Sequence, residues 1–214
     1  LGIVRRLTGD YPGADDLHRQ AMDLYRTLGH QYGQANTLHQ LGVVRRLTRD
    51  YPGADDLLRQ AVDLHGALSN RHAQANTRTQ LGVVRYLTGD HASADALLQQ
   101  ALSTLREIGA PDGQAVALNN LGTLRRLTGH PDQAHTHHQH ALTLAREIPH
   151  RLEEARALEG IGRATLDLDD PTTAATQLRE ALDLYQQLGV PEATRLAADL
   201  VHLLFAGQPP AERP

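Results

Sequence analysis

Five histidines crowd one short stretch of the chain: His130, His135, His137, His138 and His140. His135/His138 and His137/His140 stand three residues apart, so on a helix each pair would turn two imidazoles to one face, as a metal site requires. No Cys or suitably spaced carboxylate completes either set, and His138 falls where related segments carry a core Leu. We expect no resident metal. A second constellation is ionic: Arg5, Arg45, Arg85 and Arg125 recur in step with Asp15, Asp55 and Asp95. Their stems would cover a helix interface while guanidinium meets carboxylate, a pairing that fixes register without necessarily adding stability. Asp15/Asp16, Asp55/Asp56 and Glu153/Glu154 are neighbours in sequence rather than opposed across a cleft, and acids that open helices favour the helix dipole. The chain has no Gly-rich phosphate loop, no zinc-protease helix and no defensible Ser-His-Asp spacing. The expectation is therefore a non-enzyme with no cofactor.

The elements that would carry these residues come from a repeat. Leu-Gly returns every 40 residues, at Leu1-Gly2, Leu41-Gly42, Leu81-Gly82 and Leu121-Gly122, with Ile161-Gly162 in fifth place. Residues 1–20 and 41–60 differ only at Ile3/Val43, Gly9/Arg49 and His18/Leu58. A fixed period of this length reads as a stack of helix pairs. In the second copy, Ala35, Leu38, Leu41 and Gly42 set a helical rhythm that predicts helix A over roughly 32–48. After a break, Ala54, Leu58, Ala61, Leu64 and Leu68 predict helix B over roughly 51–68.

Punctuation agrees with this division. Asp50 and Asp170 are N-cap candidates, each followed by Pro in the first turn, and Gly29, Gly109 and Gly189 stop helices. Small residues recur at one phase: Gly2/Ala14, Gly42/Ala54, Gly82/Ala94, Gly122/Ala134 and Gly162/Ala174. Glycine costs about 1 kcal/mol inside a helix, so its return predicts a close-contact position. Residues 191–206 read as a terminal A-type capping helix that ends a repeat domain at 1–206, and 207–214 as a disordered Pro-rich tail.

Composition narrows the function. The net charge of -4 argues against direct nucleic-acid coating, although a local basic stripe remains compatible with it. No apolar run approaches a membrane span. The absence of Cys suits a reducing compartment, and we expect a cytoplasmic protein. All 21 basic residues are Arg, which together with abundant Ala, Gly, Leu and His points to a GC-rich bacterial genome. Leu1 opens the chain inside a repeat, as expected of a piece of a longer polypeptide.

Leu38, Leu41, Gly42, Ala54, Leu58 and Ala61 together resemble the tetratricopeptide repeat family, in a 40-residue long-helix form similar to its bacterial and kinesin-light-chain-like branch. Arg45 stands where the family pattern places an aromatic. The Asp-Tyr-Pro-x-Ala version further resembles C-terminal arrays of actinobacterial multidomain regulators. The resemblance implies an all-α fold, a right-handed superhelical solenoid of antiparallel helix pairs whose A helices line a concave groove.

Carrying the family's groove positions across gives Ile3 and Arg6, then Asn36, His39, Val43 and Arg46, then Asn76, Thr79, Val83 and Tyr86, then Val116, Asn119, Thr123 and Arg126. Asn can satisfy both groups of a peptide backbone, Val and Ile offer apolar contacts, and Arg presents a fork for carboxylate. We expect a peptide or protein domain as partner, with an acidic or C-terminal segment favoured, or an intramolecular regulatory partner within a parent protein. Two alternatives stand beside this reading. The arginines of the stripe would then only solvate the helices, and the array would be a structural module that forms homo-oligomers.

Overall fold

In the computed structural model the described residues are 1–206, without the side chains of Leu7 and of residues 202–206. The expected tail at 207–214 and the side chains of His202, Leu203 and Leu204 lie outside them. Eleven helices account for the described elements: α1 (Gly2–Leu7), α2 (Tyr11–Thr27), α3 (Gln31–Leu47), α4 (Tyr51–Ala67), α5 (Arg71–Leu87), α6 (His91–Glu107), α7 (Pro111–Leu127), α8 (Pro131–Glu147), α9 (Arg151–Asp167), α10 (Pro171–Leu188) and α11 (Glu192–Ala206). Helices α3 and α4 match the expected A and B spans to within one residue at each end. Pro191 precedes α11 rather than opening it.

Local chemistry starts and stops these helices. Asp10, Asp50, Asp90 and Asp170 each accept the backbone N–H three residues on, at 3.0, 3.1, 3.1 and 3.0 Å, which satisfies an otherwise orphaned donor. A helices are capped by other acceptors. His30 Nδ1 takes Gly33 N–H at 2.9 Å and Asn70 takes Ala73 N–H at 3.3 Å. The turn between α1 and α2 needs a left-handed residue, and Gly9 supplies it at φ 82°. Arg49 holds the same place in the second copy at φ 63°, against the steric preference of any residue with a Cβ.

The chain divides into two compact units, residues 1–113 and 114 onward, with the boundary in the first turn of α7. The sequence reads as one array because its period runs through that point without interruption. In the first unit α3 packs on α4 and α5 on α6, while α2–α3 and α4–α5 join successive repeats. In the second, α9 packs against both α8 and α10, and α11 packs on α10, with Leu196 and Leu200 buried.

Glycine sets how near each pair comes. A Cβ placed on Gly42 would lie 2.6 Å from Leu58 Cγ and 3.4 Å from the Ala54 carbonyl oxygen, and Gly82 and Gly162 repeat this against Leu98/Ala94 and Leu178/Ala174. Where the facing residue is His, the same slot takes an imidazole: His18 over Gly2 and His138 over Gly122. Ala14, Ala54, Ala94, Ala134 and Ala174 are all buried opposite.

Gly42→Val is expected to lose about 1–3 kcal/mol through overpacking, despite the better helix propensity of Val, read as a lower urea midpoint. Arg49→Gly should instead raise the midpoint, by about 1 kcal/mol, because it relieves a left-handed non-glycine residue.

Candidate partner-binding surface

The residues expected to meet a partner lie on the A helices α1, α3, α5 and α7, and the structure does not treat them alike. Ile3 and Asn36 are exposed; Arg6, His39, Arg46, Asn76, Tyr86, Val116, Thr123 and Arg126 are half-buried; Val43, Thr79, Val83 and Asn119 are buried. Members of the row in each unit therefore differ, some open and others buried or already hydrogen-bonded. Thr79 Oγ1 donates to the Ala75 carbonyl and Thr123 Oγ1 to the Asn119 carbonyl, so both hydroxyls serve their own helices.

In the first unit the row gathers cations around one imidazole. His39 Nδ1 lies 2.9 Å from Thr77 Oγ1, which ties α3 to α5. Burial lowers the His39 pKa to about 4, and His65, Arg6 and Arg46 push in the same direction. His39 is thus a neutral ring at neutral pH, set among groups that would favour an incoming negative charge.

In the second unit the row turns inward. The sequence places Asn119 among the readers of a ligand backbone, yet its Nδ2 donates to the Glu153 carbonyl at 3.1 Å and to Glu153 Oε2 at 2.9 Å, while its Oδ1 lies 3.0 Å from His138 Nδ1. Both ends of the amide are occupied because its position, unlike that of Asn36, is closed over by α8 and α9. His138 is wedged between Gly122 and Gly160. Burial lowers its pKa to about 3, with His137, Arg126 and His135 adding to the effect. Arg126 reaches Asp167 at 3.4 Å.

Sequence reasoning missed the continuation of this row into the fifth copy. Arg156, Glu159 and Arg163 stand forty residues beyond Val116, Asn119 and Thr123, so the period alone would have located them. Glu159 is buried and accepts Tyr185 O–H at 2.9 Å, Arg163 Nε at 2.8 Å and Arg195 Nη2 at 2.7 Å. Arg163 also reaches Asp199 at 2.6 Å, and Arg156 bonds Glu153 at 2.7 Å. Burial, with Glu159 beside it, raises the Tyr185 pKa, so the phenol stays a donor. The bonds that α11 and α10 make to this cluster could not be read from the period.

The structural arginines do reach acids of the preceding helix: Arg45 meets Asp15 at 3.2 Å and Arg85 meets Asp55 at 2.8 Å, in half-buried rather than fully buried pairs. Among the described residues no group of three or more His, Cys, Asp or Glu could hold a metal ion. No described helix is long and apolar enough to cross a membrane.

The tetratricopeptide repeat model matches residues 1–67, 73–147 and 113–187. This chain belongs to the tetratricopeptide repeat family. Its fold is the family's all-α superhelical repeat fold. BtubC from P. vanneervenii is 17% identical with a TM-score of 0.69, over 100% of this chain and 82% of that one. The Rap conjugation gene regulator of plasmid pLS20, solved in complex with the Phr* peptide, is 14% identical with a TM-score of 0.85, over 97% of this chain but only 57% of the regulator. A signal transduction ATPase with a tetratricopeptide repeat sensor, from Pyrococcus horikoshii, is 15% identical with a TM-score of 0.73, over 94% of this chain and 30% of the ATPase. No curated protein matches the sequence. At these identities the likeness to the solved structures is one of fold.

Acid should loosen this repeat array. The folded pKa values of His39 and His138 lie below the ordinary 6.5, so the unfolded chain binds more protons. Their contribution is complete above about pH 6.5 and is lost as pH falls towards about 4 for His39 and about 3 for His138. Melting temperature measured from pH 7 down to 4 should fall, and His138→Leu, which installs the Leu of copies 2, 3 and 5, should flatten the slope.

Proposed function

We propose that this chain is a non-enzymatic scaffold that holds a peptide or protein segment along its A-helix row, with an acidic segment preferred. The observation that carries the preference is the setting of His39, whose protonation is opposed by both Arg6 and Arg46. The positive charge of Arg6 and Arg46 would favour a carboxylate near His39. Asn36, exposed on α3, and Asn76, half-buried on α5, suit the donor and acceptor groups of an extended backbone. Asn119 and Glu159 of the second unit are committed to bonds inside the fold and are not assigned to the ligand.

The regulator of pLS20 carries a peptide on the same fold, which supports a peptide as the class of ligand. The sensor of the P. horikoshii ATPase supports a second element of the reading, in which the array belongs to a larger regulatory protein and acts on an attached switch domain. In that arrangement a bound segment changes the affinity between domains and needs no turnover by the array. We place the protein in the cytoplasm, in keeping with a chain free of Cys.

Selection from a random peptide library displayed on phage, followed by calorimetry on the selected peptides, tests the proposal. Acidic sequences should be enriched. Arg46→Glu and Arg126→Glu should each weaken binding about tenfold where the cation touches the ligand, with circular dichroism showing that each variant keeps its helicity. Affinity unaltered by both changes would remove the row from consideration.

A further inference from the structure

Side chains from three successive helices meet around a cavity in the first unit. Arg19, Met22 and Arg26 stand three and four residues apart and so share one face of α2, as Leu38 and Leu41 share one face of α3. With Leu57 of α4 they line a cavity of about 380 Å³. Its walls are complete helices of 17 residues each, and α1 contributes nothing to its lining. The floor is apolar and buried: Met22, Leu38 and Leu41 are 5%, 9% and 7% exposed, and Leu57 packs against the cluster that holds Met22 and Leu38. An apolar floor with a few polar groups at its edge is the form of a small-molecule site.

The edge is cationic, and its cations are not equally matched. Arg45 meets Asp15 at 3.2 Å and Asp50 at 3.5 Å, and Arg19 meets Asp15 at 2.7 Å. Arg26 stands 3.9 Å from Asp23, beyond hydrogen-bond length. An incoming anion can therefore take the donors of Arg26 without parting a close ion pair, and a carboxylate suits the planar fork. A doubly charged head would be repelled by Asp23, which also lines the cavity. The following copy keeps neither feature. Arg78 stands at the phase of Leu38, half-buried and with its pKa lowered by burial, and Gly66 stands at the phase of Arg26.

We propose that the cavity between α2, α3 and α4 binds a small amphiphilic monocarboxylate, a medium-chain fatty acid in size and chemistry, with its carboxylate on Arg26 and its chain over Met22, Leu38 and Leu41. No member of the A-helix row lines this cavity. The array would thus take a small molecule and a peptide at different places, and the two readings stand or fall separately.

Met22 is the single methionine of the chain, so labelling methionine methyl groups with carbon-13 gives one magnetic resonance signal from the cavity floor. Octanoate titrated into the full chain should shift that signal saturably, at one molecule per chain, with octylammonium about tenfold weaker. Arg26→Glu should weaken octanoate about tenfold and leave 1-octanol unchanged, a selectivity that a general loosening of the fold would not produce. Leu38→Arg, which installs the residue found at this phase in the following copy, should abolish the shift. Circular dichroism of each variant, matching that of the unaltered chain, separates a lost site from lost folding. Arg46→Glu, on the A-helix row, should leave octanoate binding as it was. A Met22 signal that does not respond, or responds equally to octylammonium, overturns the proposal. So does octanoate binding that neither Arg26→Glu nor Leu38→Arg alters.

Discussion

The approach of helix A to helix B at the repeated glycine sets the dimensions of each repeat. A backbone without a Cβ at Gly42, Gly82 and Gly162 leaves room for Leu58, Leu98 and Leu178 and for the backbone carbonyls of Ala54, Ala94 and Ala174. With few aromatic rings in the chain, core filling depends on such short side chains meeting at close range, where dispersion contacts are dense. The slot also tolerates chemistry. His18 and His138 occupy it in place of Leu, and each is kept neutral by burial and neighbouring cations. The fold thus accepts an ionisable ring in its core as long as the ring stays uncharged, and acid works against that condition.

Between repeats the constraint is ionic as well as apolar. Asp15 serves Arg19 within its own helix and Arg45 on the next, and Asp55 does the same for Arg59 and Arg85. Such half-exposed pairs contribute little individually, about 0–1 kcal/mol, but they penalise a register in which Arg meets no acid. The apolar contacts provide most of the adhesion and the pairs select the alignment. The second unit uses a more heavily charged version, in which Glu159 alone joins α9, α10 and α11.

That contrast bears on function. A side chain can offer a ligand only the donors and acceptors that the fold has left open, and members of the row differ in this respect. Asn36 faces solvent, while Asn119, at the phase of His39, is spent on Glu153 and His138. In the fifth copy the cations Arg163 and Arg195 meet the carboxylate of Glu159, which holds three helices together.

Much of the fold was legible in the sequence because its determinants are local and periodic. Leu41-Gly42, the Asp50 cap and the Ala54/Leu58/Ala61 rhythm specify helix ends and buried faces through backbone geometry that every copy repeats. The resemblance to the family suggested the candidate row on the A helices, and the period carried one copy further would have named Arg156, Glu159 and Arg163. It could not say which members of the row are open. Burial of Asn119, the charge state of His39 and His138, and the bridging of Glu159 by Arg195 depend on residues 19 to 38 positions apart, brought together only when helices stack. The sequence by itself determined a helical repeat and its phase, since each follows from spacing along one chain. Tertiary structure decided which polar groups remain available, because desolvation and hydrogen-bond partnership are properties of neighbours in space.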